Sequence, residues 1–171
     1  MSEKAQASGD LDPGGDPYPS ITVDDEQSVP VDVSFLRGVA ARALETLAVP
    51  EDAALAVTLV DADRMAELKE KALGLEPGEP RVPTDVLAFP MDDPARPMPG
   101  PFVVGDVVIC PEVAAQQARA AGQSLNDELV LLLVHGILHC LGRDHATPAE
   151  EKAMFAEQAD VLAAVTSGTD R

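Results

Sequence analysis

Residues 129–145 read LVLLLVHGILHCLGRDH, and this stretch decides how the rest of the chain must fold. From 129 to 141 it is apolar around the whole circumference of a helix, apart from its histidines, so such a helix needs cover on all sides. Ser124 opens an approximate capping box before it, and Gly142 supplies a position tolerant of positive φ where it ends. The sequence therefore predicts a central helix over 125–141.

The flanking residues predict four strands and four further helices. Short apolar or β-branched runs favour strands at 21–23, 54–60, 84–89 and 105–110. Helical spacing and first-turn signals favour helices at 34–48, 61–73, 111–121 and 148–164, the first with Ser34 as its N-cap. We therefore expect an α/β (α+β) fold, in which a small mixed sheet of about four strands packs with about five helices around the central apolar helix.

The composition of the chain is typical of one globular domain with polar terminal segments. The chain has 171 residues, of which 46% are apolar and 25% charged, and this is enough material for one core. Residues 1–20 combine glycines, prolines and acids with hardly any apolar residue, so we expect a disordered acidic tail there. The predicted catalytic domain spans 21–165, and residues 166–171 are expected to form a disordered C-terminus.

Charge and hydropathy exclude several classes of function. No stretch approaches the length of a membrane span, and the N-terminus lacks the pattern of a secretory signal, so we expect a cytoplasmic protein with no membrane partner. The formal net charge of −18 leaves no broad basic field, so any nucleic-acid role depends on a local cationic site and a metal. Cys110 and Cys140 lack disulfide or zinc-knuckle spacing, and we expect both to be buried, reduced thiols.

The three histidines of the chain all lie within 135–145. His135 and His139 are four residues apart, so their imidazoles leave the same face of a helix one turn apart. His145 follows the helix-ending glycine and offers a third nitrogen from another direction. Three protein ligands with an open fourth position are typical of catalytic zinc, because structural zinc sites usually have four protein ligands. The sequence predicts one zinc ion per chain on these three residues.

The same spacing matches the metzincin peptidase motif HExxHxxGxxH at all but one position. Gly136 stands where those peptidases carry their general-base glutamate. A peptidase without that carboxylate lacks the group that deprotonates water and later protonates the leaving amine. The pattern therefore favours a reaction with a better leaving group, or one in which the substrate supplies the base. Asp144, beside His145, either orients an imidazole or caps the next turn, and the sequence leaves both open.

Three segments together resemble the YbeY endoribonucleases, which are bacterial ribosomal-RNA maturation factors. The resemblance covers about residues 21–165, and its segments are PTDVLAFPMDD (83–93), GDVVICPE (105–112) and HGILHCLGRDH (135–145). It implies a small α/β fold with a single zinc on the three matching histidines, cleaving single-stranded RNA. It further implies maturation of the small-subunit ribosomal RNA 3′ end and ribosome quality control. The expected partners are this RNA and the small ribosomal subunit or a ribosomal protein, with no DNA.

The resemblance also implies a functional arginine shortly before the first segment, and Arg81 is the nearest candidate. The loop 74–81 looks longer than the usual family connection, Ala88 replaces the usual serine, and Arg143 replaces a tyrosine often found before the Asp-His pair. We take Arg81 and Arg143 as candidate catalytic residues that stabilise charge developing on phosphate. Each could instead be a solvated surface charge. No side chain stands out as a general base.

The sequence leaves two other functions open. The first is a metzincin-like metallopeptidase, against which Gly136 argues. The second is a non-catalytic ribosome-assembly or RNA-binding factor, in which zinc mainly holds the fold together.

Overall fold

The computed structural model describes residues 20–167. The predicted tail, 1–20, and the predicted C-terminal segment, 166–171, lie outside these residues except for positions 20, 166 and 167. Within 20–167 no helix combines the length and the apolar character needed to cross a membrane.

This part of the chain forms four strands and five helices, as the sequence predicts. In chain order they are β1 (Ile21–Glu26), α1 (Val33–Thr46), β2 (Ala54–Val60), α2 (Ala62–Leu73), β3 (Val86–Pro90), β4 (Val103–Ile109), α3 (Pro111–Ala121), α4 (Leu125–Cys140) and α5 (Pro148–Thr166). The observed boundaries differ from the predicted ones mainly in three strands. β3 begins two residues later than predicted, and β4 begins two residues earlier. β1 ends three residues later than predicted.

The four strands form one mixed sheet in the order β1-β2-β4-β3. β1, β2 and β4 are parallel, and β3 runs antiparallel to β4 at the edge. The expected α/β class and mixed sheet are therefore confirmed.

The sheet separates a large core from a small one. The large core joins one face of the sheet to α1, α4 and α5, and α4 contributes buried residues along its whole length. On the opposite face Val60, Met65, Val108 and Cys110 form a second cluster, in which Met65 belongs to α2. Alternation along the strands divides the two faces, since Val107 joins the large core and Val108 the small one. The central helix is thus enclosed as its composition requires.

The predicted N-cap of α1 is wrong. The carboxylate of Asp32 accepts a hydrogen bond from the backbone N–H of Phe35 at 2.9 Å, and the helix begins at Val33. Ser34 therefore lies inside the first turn. Asp and Ser are both strong N-cap residues, and spacing to the first apolar position does not distinguish two candidates that lie two residues apart.

Gly105 allows the edge strand β3 to approach β4 closely. Its φ is +140°, and a Cβ built on it would lie 2.2 Å from the carbonyl oxygen of Phe89. The ladder between β2 and β4 shifts register at this point, since Ala54 pairs with Val103 and Leu55 with Gly105. Only glycine satisfies both the backbone conformation and the spacing.

Gly105→Ala is expected to lower the free energy of unfolding by about 2–4 kcal/mol, because the new methyl overlaps a main-chain carbonyl and the positive φ strains it. Gly38→Ala in α1 is the matched control. No heavy atom lies within 4 Å of a Cβ at Gly38, and alanine favours helices, so stability should be unchanged or slightly higher. Urea unfolding measures both changes, and a Gly105→Ala chain as stable as the parent would contradict this account of the strand contact.

Candidate metal centre

The C-terminus of α4 turns the chain back sharply. Gly142 has a φ of +84°, its N–H donates to the carbonyl of His139, and the N–H of Arg143 donates to the carbonyl of Leu138, each at 3.0 Å. This pair of bonds is a Schellman motif, which satisfies the last carbonyls of a helix while reversing the chain direction. The reversal brings His145 back beside the helix that it has just left.

The three histidines that the sequence singles out do meet in space. The Nε2 atoms of His135 and His139 lie 3.1 Å apart. The ring centroid of His145 lies 5.2 Å from that of His139 and 6.2 Å from that of His135. One ligand atom from each residue falls within 4.8 Å of the other two. Two nitrogens bound to one tetrahedral zinc at ordinary bond lengths lie about 3.3–3.4 Å apart, so the cluster fits a single metal ion.

The cluster is buried on one side and open on the other. His135 and His139 are half-buried, whereas His145 is exposed. Burial lowers the pKa of His139, and the neighbouring His135 and His145 lower it further by charge repulsion. A lowered pKa keeps the His139 imidazole neutral at physiological pH, which is the form that binds a metal.

Gln158, a residue that the sequence reasoning missed, contacts this cluster from α5. Its Oε1 lies 2.9 Å from Nδ1 of His135. This polar side chain is buried, and the other buried positions on the same face of α5 are apolar. A polar residue inside an apolar helical stripe is the sequence signal that could have identified it.

Arg143 lies on the turn between the second and third histidines, but its guanidinium is engaged elsewhere. Nε and Nη2 each donate to the carboxylate of Glu157 at 2.9 Å, and Nη1 donates to the carbonyl of Leu141 at 3.1 Å. The hydrogen bonds from Arg143 lower the pKa of Glu157, and those to Glu157 raise the pKa of Arg143. The ion pair therefore ties the histidine-bearing turn to α5.

Arg81, the other candidate catalytic residue, lies on the connection between α2 and β3. Its side chain is 53% exposed and forms an ion pair with Glu70 of α2, rather than with a residue of the histidine cluster. The structure thus groups the three histidines and leaves both arginines with acidic partners.

Two residues next to the histidines in sequence, Asp144 and Gly136, bear on alternatives that the sequence raises. The Asp144 carboxylate accepts a hydrogen bond from the backbone N–H of the next residue, His145, at 2.7 Å, whereas the N-cap of the following helix is Thr147. Gly136 faces the sheet, and a Cβ on it would lie 2.6 Å from Cγ1 of Val107. Packing therefore leaves no room for a glutamate at the position where metzincin peptidases hold their general base.

Both cysteines are free and buried, as expected from the sequence. Burial raises the pKa of Cys140 to about 11 and also raises the pKa of Cys110. Both thiols are therefore protonated at neutral pH and are poor nucleophiles.

Comparison with known proteins points to one family. The family model described as Endoribonuclease YbeY matches residues 22–166. The endoribonuclease YbeY of Salinispora tropica is 47% identical over 161 residues, which cover 89% of this chain and 99% of the relative. That of Thermobifida fusca is 49% identical over 148 residues, covering 84% and 92%. A solution structure of a Thermotoga maritima protein is similar with a TM-score of 0.60 and 25% identity, covering 86% and 91% of the two chains.

Glu157→Gln is expected to lower the melting temperature by about 1–3 °C at pH 7, with a difference from the parent that shrinks as the pH falls. Because the folded-state pKa of Glu157 is lowered, the ion pair stabilises the fold above the ordinary glutamate pKa. This contribution is lost as the pH falls through the lowered value. Thermal unfolding of the metal-free chain at a series of pH values measures it.

Glu67→Gln provides the control for this effect. Glu67 pairs with Arg64 at 3.1 Å on an exposed face of α2, where an ion pair contributes little at any pH. A Glu157→Gln difference that widens toward acid pH would show that the Arg143 pair does not stabilise the turn.

Proposed function

The chain belongs to the endoribonuclease YbeY family, and from this premise we propose that it is a zinc-dependent enzyme that cleaves single-stranded RNA during ribosomal-RNA processing. Family membership makes it a hydrolase that acts on RNA. The observation that supports the metal dependence is that one ligand atom from each of three histidines lies within 4.8 Å of the other two. The proposed catalytic domain is the segment 21–165.

His135, His139 and His145 are the proposed metal ligands, and their chemistry favours zinc. Three neutral nitrogens without a carboxylate suit zinc better than magnesium or calcium, which prefer oxygen ligands. One zinc per chain on three protein ligands leaves a position for substrate or water. When bound, zinc supplies Lewis acidity that polarises a phosphoryl oxygen and favours attack by water.

The histidines themselves contribute geometry and access. His135 and His139 extend from a rigid, buried helix, so the positions of their ring nitrogens are fixed before substrate arrives. The exposed His145 lies on the open side, from which a phosphate can approach.

Arg81 and Arg143 are proposed to stabilise the charge that develops on the phosphate. Arg81 can leave its acidic partner more easily than Arg143 can. Its side chain is 53% exposed, and breaking its ion pair with Glu70 in such a solvated position costs little free energy. Arg143 would first have to leave a two-pronged contact with Glu157. We therefore expect the larger catalytic contribution from Arg81.

The charge of the chain bears on which RNA it cleaves. A net charge of −18 gives weak long-range attraction to phosphates, so affinity has to come from the metal, one or two arginines and a partner. An unpaired strand can bend to bring one phosphate to the metal, whereas an A-form duplex holds its phosphates in place. The proposed substrate is the 3′ end region of small-subunit ribosomal RNA, rather than DNA. The proposed partner is the small ribosomal subunit or one of its proteins, in the cytoplasm.

The direct test is zinc content together with cleavage of a single-stranded RNA oligonucleotide. The parent chain should carry about one zinc and lose cleavage on chelation, because the metal would supply the Lewis acid that polarises the phosphate. His139→Ala should lose both zinc and cleavage. Arg81→Ala should keep zinc but slow cleavage on the order of 100-fold, since it removes charge stabilisation only.

Arg64→Ala is the matched arginine control, because Arg64 is a half-exposed residue on α2 paired with Glu67. Its cleavage rate should equal that of the parent. A duplex of the same sequence should resist cleavage, and casein should remain intact. RNA cleavage by His139→Ala at the parental rate, or chelator-sensitive digestion of casein, would refute the proposed function.

A further inference from the structure

A buried amide interrupts the packing stripe of α5. The buried residues of this helix are Met154, Gln158, Val161 and Val165, which recur at helical spacing on one face. Gln158 is only 9% exposed, and Glu128 is the other buried polar residue within 20–167. Burying an amide costs free energy unless it is hydrogen-bonded, and an apolar side chain of similar size would pack there without that cost. Packing alone therefore does not explain a glutamine at position 158, and its amide needs a hydrogen-bond partner.

The contact that meets this requirement is with a proposed metal ligand. Gln158 Oε1 lies 2.9 Å from Nδ1 of His135, across 23 residues of chain. The other nitrogen of the same ring, Nε2, lies 3.1 Å from Nε2 of His139. One nitrogen of the His135 ring thus faces a buried carbonyl oxygen, and the opposite one faces the histidine cluster.

The chemistry of the two groups favours one tautomer of His135. A glutamine Oε1 only accepts hydrogen bonds, so a short contact with it requires an N–H at Nδ1. A neutral imidazole with hydrogen on Nδ1 has its lone pair on Nε2. The opposite tautomer would direct an N–H into the cluster and block a metal there.

We infer that Gln158 is a positioning residue of the metal centre. It holds His135 in the tautomer and ring orientation that present the Nε2 lone pair to the metal. This inference rests on the proposed function and deepens it, since it adds a residue from α5 that acts through His135 and does not touch RNA. A hydrogen-bonded partner of this kind orients a ligand and strengthens metal binding.

Two substitutions at this position separate positioning from packing. Gln158→Met keeps the length of the side chain and completes the apolar stripe, but it removes the acceptor. Zinc affinity, measured by competition with a chromophoric chelator, should fall about 10–100-fold, while the metal-free melting temperature stays the same or rises. Gln158→Glu retains an acceptor oxygen and should bind zinc within a few-fold of the parent.

Val161→Ala is the control from the same stripe. It should lower the metal-free melting temperature by opening a cavity, and it should leave zinc affinity unchanged. This contrast shows whether a general loosening of α5 is enough to weaken the metal site.

The tautomer itself provides a readout independent of metal and activity. Nitrogen NMR of the metal-free chain, at a pH where the imidazole is neutral, should show His135 with hydrogen on Nδ1 in the parent and in Gln158→Glu. It should show a mixture in Gln158→Met. Parental zinc affinity and tautomer in Gln158→Met would overturn the inference while leaving the proposed function intact. A parent chain that binds no zinc would overturn the metal site itself, and the inference with it.

Discussion

The structure depends on the need to bury α4 on every side. Between 129 and 141 this helix has no polar face to give to solvent, so the sheet and α1, α3 and α5 all pack against it. Its fit against the sheet is close enough that Gly136 has no room for a Cβ beside Val107. Its last turns carry two of the three imidazoles, those of His135 and His139. Burial of the helix thus fixes these two proposed ligands, while the third, His145, is exposed.

The rest of the centre is built from α5. Its capped N-terminus begins just after the third histidine, and Glu157 and Gln158, adjacent in sequence, reach two different parts of the site. Glu157 binds the arginine of the turn, and Gln158 binds the first histidine. The same helix buries its apolar stripe in the core, so α5 contributes one face to the core and two polar side chains to the surroundings of the histidines.

The sequence predicts those parts of the molecule that depend on nearby residues. The three histidines span eleven positions, so helical spacing and one glycine turn were enough to place them together. Gln158 was missed because its partner is 23 residues away and the contact exists only once α5 packs on α4. The N-cap of α1 was misplaced because Asp32 and Ser34 compete locally for the same role. The acidic partners of the two arginines likewise depend on tertiary structure.

In the proposed centre three imidazoles, and no other side chain, hold one zinc. X-ray absorption at the zinc edge of the loaded chain tests this most directly, because nitrogen and sulfur ligands differ in bond length. We expect one zinc per chain with three imidazole nitrogens at about 2.0–2.1 Å and one further light atom supplied by solvent. A sulfur ligand at about 2.3 Å, or a fourth imidazole from a second chain, would contradict it.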